Sequence, residues 1–149
     1  MLMKPNILST NKIYRKGSNL RKSRTSIDFV IDGKSLIELL DETSGDRSDL
    51  MGCFVKGFED ENKDVLSFLT CKSTSEVETG RVLLYICPEC GDIGCGSYAA
   101  IVEKVSGQYV WRSFAYENGY EEPMLIETVG PFYFNVDNYE SVINEAADI

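Results

Sequence analysis

The chain predicts an α+β fold, an antiparallel sheet backed by two or three short helices. Three observations lead there. Tyr98 to Val105 and Gln108 to Tyr116 flank Ser106-Gly107, the pattern of a hairpin. Tyr139, Val142, Ile143 and Ala146 recur at helical spacing near the C-terminus. The order of elements is strand, helix, several strands, helix, not the strict alternation that builds a parallel sheet.

In chain order, Ser26 to Asp32 alternates as a strand with Ile27, Phe29 and Ile31 on one face, and Gly33 ends it. Ser35-Leu36-Ile37-Glu38 is a capping box, which predicts a short helix to about Glu42. Thr43 to Asp49 reads as a polar loop, and Met51 to Phe58 as a short strand interrupted by Gly52 and Gly57. Glu59 to Asp64 reads as a solvated acidic stretch, while Val65 to Leu69 is too short for periodicity to choose between helix and strand. Arg81 to Cys87 predicts a buried strand. In the hairpin, Trp111 and Tyr109 fall on one face and Phe114 and Tyr116 on the other, with Trp111 expected in the core. Val129-Gly130-Pro131 breaks the chain before a final strand at Phe132 to Phe134, and Asp137 to Glu140 opens the last helix.

Charge divides the sequence. The first 25 residues carry Lys4, Lys12, Arg15, Lys16, Arg21, Lys22 and Arg24 and no acid, a charge of +7. The remainder carries −16, and the 149-residue chain carries −9. Such asymmetry predicts a basic, flexible arm at 1–25, dispensable for folding, and a single α+β domain at 26–149. With no His, the chain has no imidazole catalyst and no Ser-His or Cys-His nucleophile pair. Its longest apolar run, Val82 to Cys87, is far below the roughly 20 residues that cross a bilayer. Pro5, Asn6, Ser9, Thr10 and Asn11 interrupt any secretion signal, so the cytoplasm is the expected location. The acidic balance argues against nucleic acid or anionic membrane as partner and favours a basic protein.

Two features carry candidate chemistry. Cys87-Pro88-Glu89-Cys90, followed by Gly91 and Cys95, is written like a zinc knuckle. Cys87, Cys90 and Cys95 would supply three of the four ligands of a tetrahedral zinc. Cys53, Cys71, Asp92 or water would complete the set. Cys-Pro-x-Cys also suits a thiol oxidoreductase acting through Cys87 and Cys90, but Gly91, Gly94 and Gly96 do not open the helix that lowers a catalytic thiol's pKa. The reading adopted is structural: a Gly-rich turn packing reduced cysteines, with no cofactor assigned. The second feature is the loop holding Glu117, Asn118, Tyr120, Glu121 and Glu122. Tyrosine gives rigid contact area, and carboxylates pair with Lys or Arg across an interface. Its rival is Glu59, Asp60, Glu61 and Asp64, more acidic but without nearby tyrosines.

The segments Leu84 to Gly96, Val110 to Asn118 and Val129 to Phe134, taken with Phe29 to Leu36, resemble a family of small bacterial proteins that carry a Cys-Pro-Glu-Cys-Gly-Asp-Ile-Gly-Cys-Gly motif. Members of that family are sometimes given an oxidoreductase name, which implies a redox role. By type, as a small acidic chain without catalytic groups, the sequence also resembles toxin-immunity proteins, including those of contact-dependent growth inhibition. The function expected is therefore that of a non-enzymatic binding protein: an immunity protein that occludes the active site of a basic, nuclease-like toxin. A zinc-stabilised structural or regulatory protein and a thiol oxidoreductase are the alternatives.

Overall fold

A computed structural model describes residues 2–19, 22–45, 50–75, 77–88 and 95–149. The N-terminal segment opens the fold: β1 (Leu8–Arg15) pairs antiparallel with β2 (Arg24–Ile31) along its whole length, from Leu8 opposite Ile31 to Arg15 opposite Arg24. Asp32 and Gly33, both at positive φ, turn the chain into β3 (Lys34–Ser35). Helix α1 (Leu36–Ser44) follows, where the Ser35 hydroxyl accepts the Glu38 amide as the capping box predicts. Of the expected polar loop at 43–49, Thr43 and Ser44 close the helix, Gly45 follows it, and residues 46–49 lie outside the described residues. Strand β4 (Met51–Gly52) and helix α2 (Glu59–Leu69) lead to β5 (Val82–Ile86). The predicted hairpin is β6 (Ser97–Val105) and β7 (Gln108–Glu117). Its turn at Ser106 and Gly107 has φ of 51° and 78°, the doubly left-handed geometry that matches strand twist. Strands β8 (Met124–Leu125) and β9 (Phe132–Asn135) both add to β7, and α3 (Val136–Ala147) ends the chain. Its cap is Asn135, whose Oδ1 accepts the Asp137 and Asn138 amides, two residues before the expected position.

The main sheet runs β4-β5-β6-β7, with β8 and β9 on the outer side of β7. The sheet of β1, β2 and β3 meets it at both ends. On one side Ser26 bridges Val55, and the Ile27 and Lys56 amides donate to the Phe54 and Thr25 carbonyls. On the other, Asn6 bridges Phe134 and its amide donates to the Tyr133 carbonyl. Hydrogen bonding thus runs around the core in a near-closed ring, which covers edges that would otherwise invite association.

A bulge in β7 decides what fills the ring. Between the pairs Ile101–Arg112 and Ala99–Ala115, β7 advances three residues while β6 advances two. Ser113, at φ 56°, absorbs the extra one. The parity of the strand therefore changes, and Phe114 joins Trp111 in the core rather than facing away from it. Strict alternation had put them on opposite faces. Trp111 meets Phe29 and Phe134 edge-to-face, each at 5.1 Å between ring centres. Its indole N–H donates to the Tyr139 hydroxyl at 2.9 Å, which donates in turn to the Leu69 carbonyl at 2.7 Å, tying β7, α3 and α2 together. Buried Asp28 accepts hydroxyl bonds from Tyr85 and Ser35, so its carboxylate is satisfied without a cation.

Three further expectations are corrected. The segment expected as a flexible arm supplies β1: Leu8 is 1% exposed inside the core, and Gln108 clasps Met3 through both its amide oxygen and nitrogen. Its positive charge concealed a strand, because Leu8 is the only residue along it that is buried. The acidic stretch at 59–64 is the first half of α2. There Asn62 is buried and clamps the Val55 backbone, accepting from its N–H at 3.0 Å and donating to its carbonyl at 2.9 Å. The expected strand at Met51 to Phe58 is regular only at its first two residues.

Removing residues 1–16 should therefore unfold or grossly loosen the protein. Leu8→Ala alone should cost about 2–5 kcal/mol in chemical denaturation. A loss below the error of the measurement would show β1 to be dispensable. A second expectation concerns Asp32, whose carboxylate accepts the Ile7 amide at 2.8 Å and the Asn6 side chain at 2.7 Å. The Ile7 bond, then the Asn6 bond, holds its pKa below the usual carboxylate value. A depressed folded pKa gives stabilisation that is present above the unfolded value, near ~3.9, and lost as pH falls through the folded one. On acidification the Ile7 amide resonance should titrate with a midpoint below that of an exposed Asp, and Asp32→Asn should abolish the titration.

Candidate functional site

The hairpin β6–β7 ends at Glu117, and a short loop then leads to β8. Asn118 shapes this loop: its side-chain oxygen accepts the amides of Tyr120 and Glu121, each at 3.0 Å. The turn leaves Tyr120 85% exposed and Glu121 and Glu122 in solvent. Asn118 itself is committed to this internal role.

Beneath the loop, Arg81 holds the end of β7. Its Nε donates to the Ser113 carbonyl at 2.7 Å, Nη2 to the Ser113 hydroxyl at 2.9 Å, and Nη1 to Glu117 at 3.3 Å. One guanidinium thereby fixes both the bulge and the base of the loop. The Thr79 hydroxyl also donates to Glu117, and the Ser97 hydroxyl donates to its carbonyl. Glu117 is only 4% exposed. This corrects the reading of Glu117 as a rim carboxylate: its charge is spent on Arg81.

The loop forms one wall of a cleft of about 930 Å³. The floor is apolar, with Met51 and Val55 from the β4 segment, Leu83 and Ile86 from β5, Phe68 from α2, and Pro88. The rim carries Glu61 and Asp64 from α2, Glu78 from the turn before β5, and Glu121 and Glu122 from the loop. The two acidic segments that the sequence presents as rivals therefore meet at one site. Glu61 belongs to it, whereas Glu59 and Asp60 are exposed and do not line it. Those two lie in the first turn of α2, where negative charge complements the helix dipole. Against five rim carboxylates the lining offers, among the described residues, one cation, Arg24, at the start of β2. Its guanidinium lies over Phe58, 5.2 Å from the ring centre.

Sequence reading missed Arg24, Phe58, Glu78, Asn62 and Arg81, whereas Asp64, part of the rival acidic segment, does line the cleft. A signal existed for Asn62 alone: Asn62, Val65, Leu66 and Leu69 follow helical spacing, with an amide in the first place.

The cysteines do not join this chemistry as a group. Cys53 lines the cleft from below, but burial pushes its thiol up to about 12, far from a thiolate at neutral pH. Burial also raises the Cys71 thiol. Cys87 is half-buried and Cys95 exposed, while Cys90 and Asp92 lie outside the described residues. Among the described residues no three His, Cys, Asp or Glu side chains come together as metal ligands. No helix of the described residues is long and apolar enough to cross a membrane.

Comparison with protein-family models, with curated proteins and with solved structures finds no match for the chain.

The Arg81 clamp has a measurable consequence. Arg81→Met strips Glu117 of its buried partner and should destabilise the protein by about 3–5 kcal/mol, read from denaturant midpoints. Arg81→Lys should recover little of it, because an ammonium cannot bond Ser113 and Glu117 in one plane. Full recovery by lysine would show that charge alone matters here.

Proposed function

We propose that the chain is a non-enzymatic binding protein, an immunity protein that neutralises a basic, nuclease-like toxin by occluding it. The observation that carries this reading is the cleft: an apolar floor under a rim of carboxylates that form no ion pair among the described residues. Such a surface complements the Lys and Arg side chains with which a nuclease grips phosphate. Occlusion needs no catalytic group, in keeping with a chain that has no His and whose cleft thiol is buried. The two parts of the surface divide the work. Net charge of −9 steers a basic partner toward the rim. Tyr120, exposed on the loop, and the apolar floor supply contact area once the partner is seated.

Charge reversal at Glu121 and Glu122 tests the reading. The double lysine variant should associate with its toxin domain about tenfold more slowly than wild type and with a weaker salt dependence. Tyr120→Ala should instead speed dissociation. In cells expressing the toxin, charge reversal at Glu61, Glu121 and Glu122 together should abolish protection while leaving the thermal midpoint within a few degrees. Undiminished protection by that triple variant would remove the cleft from the interface, and failure of the wild-type chain to protect against any basic toxin would end the immunity reading.

A further inference from the structure

Arg24 is poorly satisfied where it lies. Among the described residues it is the one cation lining the cleft, and it makes no ion pair with any of them. Its Nη1 donates to the carbonyl of its own neighbour, Ser23, at 3.2 Å, and its Nε is buried with no acceptor. Across the hairpin its partner residue is Arg15, a like charge. What holds the guanidinium is the face of Phe58. A guanidinium suits that face, because it is planar, weakly hydrated and attracted by the ring's negative surface. This particular guanidinium meets the face from a backbone position that leaves one donor orphaned and carboxylates out of reach.

We infer that the Phe58 face is a guanidinium seat, held in the free protein by Arg24 and taken over on binding by an arginine of the basic partner. The inference rests on the cleft being the binding site and names the side chain that the site selects. Phe58 caps α2 and Glu61 lies in its first turn, so ring and carboxylate belong to one rigid element. An arginine entering from solvent approaches along the open cleft and is free to satisfy its donors on the rim. Arg24, displaced from the end of its strand, recovers water at Nε. At the ring, the exchange trades a poorly bonded cation for a well-bonded one, and the added positive charge falls among the rim carboxylates. Lysine does not gain equally, since a compact, strongly hydrated ammonium stacks poorly on an aromatic face.

The test uses the full chain and two blocked hexapeptides, one alternating leucine with arginine and one alternating leucine with lysine, titrated calorimetrically. The wild type should bind the arginine peptide about fivefold more tightly than the lysine peptide. Arg24→Gln should tighten the arginine peptide by a further factor of about five, because the seat is then vacant. Phe58→Leu keeps the apolar volume but removes the ring face. It should erase the arginine preference while leaving lysine-peptide affinity as it was, and Phe58→Ala provides a second variant with the same expectation. Weaker binding by Arg24→Gln would mean that Arg24 grips the ligand instead of yielding to it, and would overturn the inference. So would an arginine preference that survives loss of the ring, or no binding of either peptide. In those cases loss of protection on charge reversal at the rim would still uphold the broader binding role, so the two failures are told apart.

Discussion

Ile27 and Gly52 meet backbone to backbone, and the rest of the structure is arranged around that contact. A Cβ placed on Gly52 would lie 1.7 Å from the Ile27 carbonyl oxygen, with backbone as the obstacle. Only glycine lets β2 cross β4 at this distance. The crossing is then fastened from both sides. The Gly52 amide donates to the buried Ser26 hydroxyl at 3.0 Å, and the Ile27 amide donates to the Phe54 carbonyl at 3.1 Å. Here the N-terminal hairpin becomes part of the main sheet. The cleft spans the same junction, with Arg24 on one strand and Met51, Cys53 and Val55 on the other. Opening the crossing would separate the cation from the floor it faces.

Charge in this protein is sorted by depth. The exposed pair Arg112–Glu103 is close, at 2.6 Å, but lies in water and adds little. Arg81–Glu117 is longer, at 3.3 Å, but buried, and it organises two segments through shared hydroxyls and a carbonyl. The rim carboxylates belong to neither class. They surround an apolar floor and, among the described residues, meet only one cation in the lining, which leaves their repulsion in place. A surface that keeps like charges together stores free energy that a basic ligand relieves, and this is the physical basis of the binding role proposed above.

How much of this the sequence discloses depends on the range of the interaction. The β6–β7 hairpin and helices α1 and α3 are legible, because turn residues, a capping serine and helical spacing act within a few positions. Strand β1 is not legible: seven bases near it suggest a solvated tail, and Leu8 alone marks its buried side. The candidate loop at 117–122 is found by its local density of tyrosine and acid, but the neutralisation of Glu117 depends on Arg81, far along the chain. The junction of Glu61 with Glu121 depends on α2 and the hairpin end packing around one sheet, which no local pattern encodes. The acidic segments could be proposed separately, and only the fold makes them one site.

The extra residue at Ser113 has a consequence for recognising related chains. A strand that crosses from one role to another normally shows strict alternation, and a search for this architecture built on that rule would look for aromatic residues two apart. Here Trp111 and Phe114 stand three apart and share one interior. The spacing works only because Ser113 takes a left-handed backbone and Arg81 grips both its carbonyl and its hydroxyl. A chain built on the same plan should therefore pair a Trp-x-x-Phe spacing in its seventh strand with an arginine just before its fifth. Losing or gaining one residue in that interval would turn the rest of the strand inside out. That offset pair is a more discriminating fingerprint than the cysteine motif, because it follows from how the interior is filled.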